Sequence, residues 1–268
     1  MEKWRIHFHD QQHDVEGFVE NHFDTEEAER AFQMTIDGVV FAGDSLDDWE
    51  LVDSDKRDVL EAAQQKFALL CYGSAEAGYR YWLQDHTLTL TIPTLVATVD
   101  KQSWIDAELT ITLASVKNTE HTGSIYVLDG EKVWPDHSVC QAVVLTVGAE
   151  RFAAAELSPF LEIPFKDICV QLSGKYYLCN CFGCRYSDYS PYGQDNIGTL
   201  YCFHEQADIY LAVNGKYANR LEEGQCTIWE AFEAGGKPCQ ETGLCARFAP
   251  RIGGLGGYRG LIYKEERS

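Results

Sequence analysis

The stretch Gln33-Met34-Thr35-Ile36-Asp37-Gly38-Val39-Val40-Phe41 sets an Asp-Gly pair between two apolar runs, and its reading decides how the chain begins. Asp-Gly tolerates the positive φ angles of a two-residue turn whose twist matches two antiparallel strands, so the segment predicts a β-hairpin. Upstream, Trp4, Ile6 and Phe8 alternate with Arg5, His7 and His9, the period-two pattern of a strand with one wet face. A second strand is expected from Val15 to Phe23, which makes the start of the chain an antiparallel meander.

Downstream of the hairpin the period changes. Asp53 or Ser54 can cap a helix, and Val59, Leu60, Ala63, Phe67, Leu70 and Cys71 then follow at helical spacing, which predicts a helix near 54–71. Strand patterns resume over Thr87 to Thr98 and through Ile105, Ala107, Leu109, Ile111 and Leu113. A second Asp-Gly, Asp129-Gly130, separates Ser124–Leu128 from Glu131–Trp134 and predicts another hairpin. Gln141 to Val147 is a further apolar run. Ser158-Pro159 resembles a cap followed by a first-turn proline, and Pro164 implies that the helix there is interrupted or starts later. The expected fold is therefore α+β, mainly antiparallel sheet with few helices, followed by a Cys-rich, zinc-stapled C-terminal part. The expected organisation is an acidic β-rich part over residues 1–160 and a Cys-rich part over 161–268, which could share one core.

Composition bounds the function. The chain has 268 residues with 45% apolar and 24% charged side chains, which is enough to bury a sizeable core and excludes collagen and wholesale disorder. Its longest apolar runs, such as Phe67 to Tyr72, are far short of the about 20 residues a spanning helix needs, so no membrane partner is expected. Met1 to Asp10 lacks an apolar secretory core and a small-residue cleavage site, which predicts a cytoplasmic protein. In that reducing compartment ten cysteines point to metal, catalysis or burial more than to disulfides.

Formal net charge is -20, and it is unevenly spread: residues 1–150 carry 28 acids against 10 bases, residues 151–268 carry 14 against 12. Such a field repels nucleic acid and steers basic proteins inward. Solubility alone is one reading of it. A second is a docking surface for a basic protein, formed by Asp24–Glu29 and by Asp44, Asp47, Asp48, Trp49, Glu50, Asp53 and Asp55, and cation binding is a third. Within the second cluster Trp49 and Leu51 are either core anchors or interface hot spots rimmed by carboxylates.

Seven of the ten cysteines fall within residues 179–245. Cys181-Phe182-Gly183-Cys184 has the C-x-x-C spacing that lets two thiolates meet one tetrahedral zinc ion. Cys202, on a short strand near Thr199–His204, and Cys245 complete a four-thiolate set of Cys181, Cys184, Cys202 and Cys245, in which His204, Cys179 or Cys239 could replace a member. A closed set of this kind is a structural Zn2+ site. Free buried thiols and a redox pair are the competing readings. Cys71, Cys140 and Cys169 lie in apolar patterns and are expected to be buried. The loop Arg185 to Gly193 carries three tyrosines suited to packing, and Arg251 and Arg259 flank a glycine-rich tail that suits a close backbone turn.

Over about its last 90 residues the sequence resembles an uncharacterised bacterial Cys-rich family. The resemblance is carried by Cys181/Cys184, Ser187 to Gly193, Cys202, Cys245, Pro250-Arg251 and Gly257-Tyr258-Arg259-Gly260. Such families are similar in size and acidity to immunity proteins of polymorphic toxin systems, which implies an antitoxin-like binding protein and supplies no catalytic residue.

Common enzyme signatures are missing: there is no G-x-S-x-G, H-E-x-x-H or G-x-x-x-x-G-K-[ST]. His7 and His9 fit the wet face of a strand better than a metal pair. The expected function is a non-enzymatic inhibitor of a basic, nuclease-like toxin. The alternatives are a hydrolase built on Cys202 and His204, or a structural module of a complex.

Overall fold

In a computed structural model of the chain, residues 2–23, 32–100, 103–121, 125–135, 137–158, 160–191, 197, 200–216 and 223–251 are described. The acidic cluster Asp24–Glu29 and the glycine-rich tail beyond Arg251 lie outside them. The chain forms two compact units, residues 1–91 with 110–142, and residues 92–109 with 143–268. Residues 92–109 thus group with the C-terminal half and 110–142 with the N-terminal one.

The first unit opens with a meander of its first five strands and adds later strands at both of its edges. Its strands are β1 (Glu2–His9), β2 (Asp14–Asn21), β3 (Phe32–Ile36), β4 (Val39–Gly43) and β5 (Glu50–Leu51). Helix α1 (Arg57–Lys66) follows, then β6 (Leu69–Ser74), β7 (Gly78–Leu83), β8 (Thr87–Thr98), β9 (Trp104–Val116), β10 (Tyr126–Leu128) and β11 (Glu131–Val133). They lie side by side in the order β11-β10-β6-β7-β5-β4-β3-β2-β1-β8-β9, antiparallel apart from one parallel contact of β10 with β6 at Leu128 and Gly73. The alternation read in the sequence is literal: Trp4, Ile6 and Phe8 on β1 are buried and their neighbours are exposed. Asp37 and Gly38 take φ of 45° and 78°, which is why this pair turns β3 into β4, and Asp129-Gly130 does the same with 49° and 91°.

The expected helix is shorter than 54–71. It ends at Lys66, Phe67 is already extended, and Leu69, Leu70 and Cys71 open β6. The run Phe67 to Tyr72 is apolar throughout and fits either period, and pairing with β7 from Leu69↔Leu83 to Ser74↔Gly78 settles it as strand. Phe67 stays in the core, edge-on to Phe8 and Phe41 at ring distances of 6.2 and 5.1 Å.

The second unit holds the outer parts of β8 and β9, then β12 (His137–Val147), of which residues from Val143 belong here, and β13 (Glu150–Ala153). Helix α2 (Glu162–Leu172) and β14 (Tyr176–Leu178) follow, and β14 pairs with Val96 to Thr98 of β8. α2 starts late enough that Pro164 sits in its first turn, where a missing N–H costs nothing. Next come β15 (Ser187–Tyr189), β16 (Leu200–Cys202), α3 (Ala207–Leu211), β17 (Val213–Gly215), β18 (Cys226–Thr227), α4 (Ile228–Glu233) and β19 (Lys237–Cys239). β15, β16 and β19 form a small antiparallel sheet. Phe203, Tyr210, Val213, Ile228 and Ala231 make a buried cluster behind it. The protein is thus α+β, mainly antiparallel sheet with few helices.

Candidate functional site

In the first unit, pairing builds a cleft whose residues are far apart in sequence. Ala42 faces Glu50, Glu50 faces Trp82, and Tyr72 faces Arg80. Because Arg80 and Trp82 are two apart on β7, all these side chains share one face of the sheet. Asp44 and Asp48, from the loop after β4, join them. The result is a cleft of about 420 Å³ lined by Ala42, Gly43, Asp44, Asp48, Glu50, Tyr72, Arg80 and Trp82.

The lining combines three carboxylates, two aromatic rings and one cation, Arg80. Tyr72, Trp82 and Tyr126 pack ring to ring at centroid distances of 4.5 to 5.1 Å. Arg80 lies 3.5 Å from Glu50. Burial pushes the Tyr72 phenol above its ordinary value; hydrogen bonds from Arg80 and Trp82 oppose the shift, while the charge of Glu50 adds to it.

The acidic stretch expected to dock a partner is divided by the fold. Asp44, Asp48 and Glu50 line the cleft. Asp47 accepts a 2.6 Å hydrogen bond from Ser45. Asp53 pairs with Lys56 at 2.8 Å, and Asp55 adds to the field that raises the Lys56 ammonium, after Asp53. Trp49 is 1% exposed and its indole N–H donates to the Leu46 carbonyl, so it anchors the loop from within the core. The cleft's aromatic wall was not read from the sequence: Tyr72 abuts the end of the expected helix, and only the β6–β7 register sets it beside Arg80 and Trp82.

Nearby in the first unit, His7 lies 2.5 Å and His9 4.0 Å from Asp14, on exposed positions. His13 is stacked on Phe67 at 4.6 Å and accompanies Asp10.

In the second unit Cys181 and Cys184 share one turn, Cys202 ends β16, and Cys245 follows Leu244. The Cys181 N–H donates to the Gly243 carbonyl at 2.8 Å, and Asn180 bridges Leu244. Cys184 N–H closes the C-x-x-C turn on the Cys181 carbonyl and Cys184 bridges Pro250. Burial pushes the Cys184 and Cys202 thiols up; backbone N–H groups of Ala249 and Tyr186, and of His204, respectively oppose it. The His204 ring packs edge-on to Tyr186 at 5.0 Å. Among the described residues, no two cysteines form a disulfide, and no three side chains of His, Cys, Asp or Glu stand as a group that could hold a metal as they are. Cys140, Cys169 and Cys179 are buried; Cys140 and Cys179 are pushed up to about 11 and about 12, chiefly by burial. Cys71 is half-buried. None of the described helices is long and apolar enough to cross a membrane.

These features define a sheet-rich protein with an acid–aromatic cleft on one unit and a cysteine-rich second unit. Residues 2–187 match the model of a family described as Family of unknown function (DUF6304), and the chain belongs to that family. The match covers Cys181 and Cys184 and stops before Cys202, Cys239 and Cys245. No curated protein and no solved structure matches the chain.

Proposed function

We propose that the protein is a non-enzymatic binding protein of the immunity or antitoxin kind, which neutralises a basic, nuclease-like partner by seating a cationic side chain in the cleft of the first unit. One observation carries the reading: Asp44, Asp48 and Glu50 share a 420 Å³ cleft with the rings of Tyr72 and Trp82. A guanidinium or ammonium group entering there meets Asp44, Asp48 and the Glu50 carboxylate that Arg80 approaches at 3.5 Å, together with aromatic rings, the two kinds of group that recognise such cations. The excess of acids over bases in residues 1–150 supports it by steering a basic partner toward that unit.

The reading places the protein in the cytoplasm, where thiols stay reduced and a zinc ion held by them staples the Cys-rich second unit. An arginine-rich peptide serves as the probe. Raising ionic strength from about 0.1 M to about 1 M shortens the screening length from about 10 Å to about 3 Å. Calorimetric titration is expected to show affinity falling by at least about tenfold between the two conditions. Equal affinity in both, or no binding at low salt, refutes the proposal.

A further inference from the structure

The cleft of the first unit already holds a cation of this chain. β7 runs between β6 and β5 in the sheet, and Arg80 rises from it with Tyr72 directly opposite on β6 and Glu50 one diagonal step away on β5. Among the described residues that line the cleft, Arg80 is the only cation, set against the carboxylates of Asp44, Asp48 and Glu50. Its guanidinium stands where an incoming cation has to go.

How firmly it is held follows from distance and exposure. Arg80 Nη1 lies 3.5 Å from Glu50 Oε2, beyond the about 2.7–2.9 Å of a charge-assisted hydrogen bond, and its side chain is 61% exposed against 19% for Glu50. The pairs Lys56–Asp53 and Arg57–Glu61 close to 2.8 and 2.6 Å. The Arg80 pair is the looser one, with its stem fixed by the sheet and its head in solvent. Glu50 is the more enclosed partner, and two cations brought to one such carboxylate repel each other. A second cation therefore reaches Glu50 only as the first leaves.

We infer that Arg80 is a resident occupant of the cleft, which the partner's cationic side chain displaces from Glu50 on binding, and that this exchange sets the affinity of the site. The inference rests on the reading of the cleft as a cation site and adds to it a residue that works against binding. A cation that reaches only Asp44 and Asp48 leaves Arg80 in place, and one that reaches Glu50 turns it out. An ion pair this exposed is weak, so removing it tightens binding by no more than about fivefold.

The test titrates the full chain with the arginine-rich peptide at about 0.1 M salt. Arg80→Met keeps a long side chain opposite Tyr72 without its charge, and is expected to bind about fivefold more tightly than wild type. Arg57→Gln removes the same charge from the Glu61 pair on α1, outside the cleft lining, and should stay within about twofold of wild type. Arg80→Lys restores a cation at the position and should also return to within about twofold. Circular dichroism checks that each variant is folded, and Arg80→Gln repeats the comparison should Arg80→Met not fold. If wild type binds the peptide but Arg80→Met binds it no more tightly than Arg57→Gln does, or more weakly, the exchange is overturned and the cleft reading stands. A gain in Arg80→Lys as large as that in Arg80→Met overturns the exchange in the same way. Absence of binding in both wild type and Arg80→Met overturns the cleft reading and the exchange together, whereas binding by Arg80→Met alone upholds the exchange and refutes the wild-type protein as a binder of this probe.

Discussion

The Tyr210 hydroxyl donates a 2.9 Å hydrogen bond to the Asp188 carboxylate inside the second unit, where both residues are 0% exposed. The Arg251 guanidinium donates to the same hydroxyl at 2.5 Å and to the Ser187 carbonyl, and its nearest recorded approach to Asp188 is 4.0 Å. A buried charge without its counter-ion is costly, whereas one lost hydrogen bond to a charge is less so. Arg251→Met is therefore expected to destabilise by about 3–5 kcal/mol, and Tyr210→Phe by about 1.5–3 kcal/mol. Urea unfolding of both variants checks the order, and the reverse order contradicts the network.

Trp49 and Asp44 are neighbours in the acidic stretch with opposite roles. Trp49 fills the core and Asp44 is exposed at the cleft. Trp49→Ala should cost about 3–5 kcal/mol. Asp44→Asn should stay within about 0.5 kcal/mol. Thermal and denaturant unfolding decide it; a mild Trp49→Ala would mean that the loop is held from elsewhere.

Gly43 sits where the chain turns from β4 into the cleft loop. A Cβ at this position would lie 1.7 Å from the Asp48 carbonyl oxygen, a backbone atom that cannot swing aside. Gly43→Ala is expected to lower stability by about 1–3 kcal/mol and to displace Asp48. Denaturation together with loss of the cationic probe checks this, and unchanged binding contradicts it.

Helix α4 begins with a capping box: the Thr227 hydroxyl accepts from the Glu230 N–H at 3.2 Å, and the Glu230 carboxylate accepts from the Thr227 N–H at 2.6 Å. The Thr227 backbone and then its hydroxyl hold the Glu230 carboxyl below its ordinary 4.5. A carboxyl depressed in the folded state contributes stability above its unfolded value, and that contribution is lost as pH falls through the folded value. Glu230→Gln should therefore be less stable than wild type near neutral pH, with the gap closing on acidification below about 4.5. Unfolding measured across that range tests it; a gap constant with pH contradicts the ionised cap. Thr227→Ala, which removes the other half, should cost about 1 kcal/mol.

Much of the first unit was legible because its side chains alternate and its turns need positive φ. Asp37-Gly38, Asp129-Gly130 and the strand Thr87–Thr98 were readable on those grounds. The end of α1 was not, since Leu69, Leu70 and Cys71 satisfy a helical stripe as well as a strand. Sites were harder than elements. Trp82 reaches Glu50, and Cys239 comes diagonal to Cys202, only through strand register, which is a tertiary property that spacing does not carry. The Thr227-Ile228-Trp229-Glu230 cap was local and could have been read.

The most direct measurement compares two variants that remove equal charge from one stretch of chain. Asp44→Asn/Asp48→Asn/Glu50→Gln alters the cleft, and Asp53→Asn/Asp55→Asn/Asp58→Asn alters the acids around Lys56. Titrated with the arginine-rich peptide at about 0.1 M salt, the cleft variant is expected to lose at least about tenfold in affinity while the control stays within about threefold of wild type. Equal losses in the two variants would show that net charge alone attracts the peptide and would contradict a binding site in the cleft.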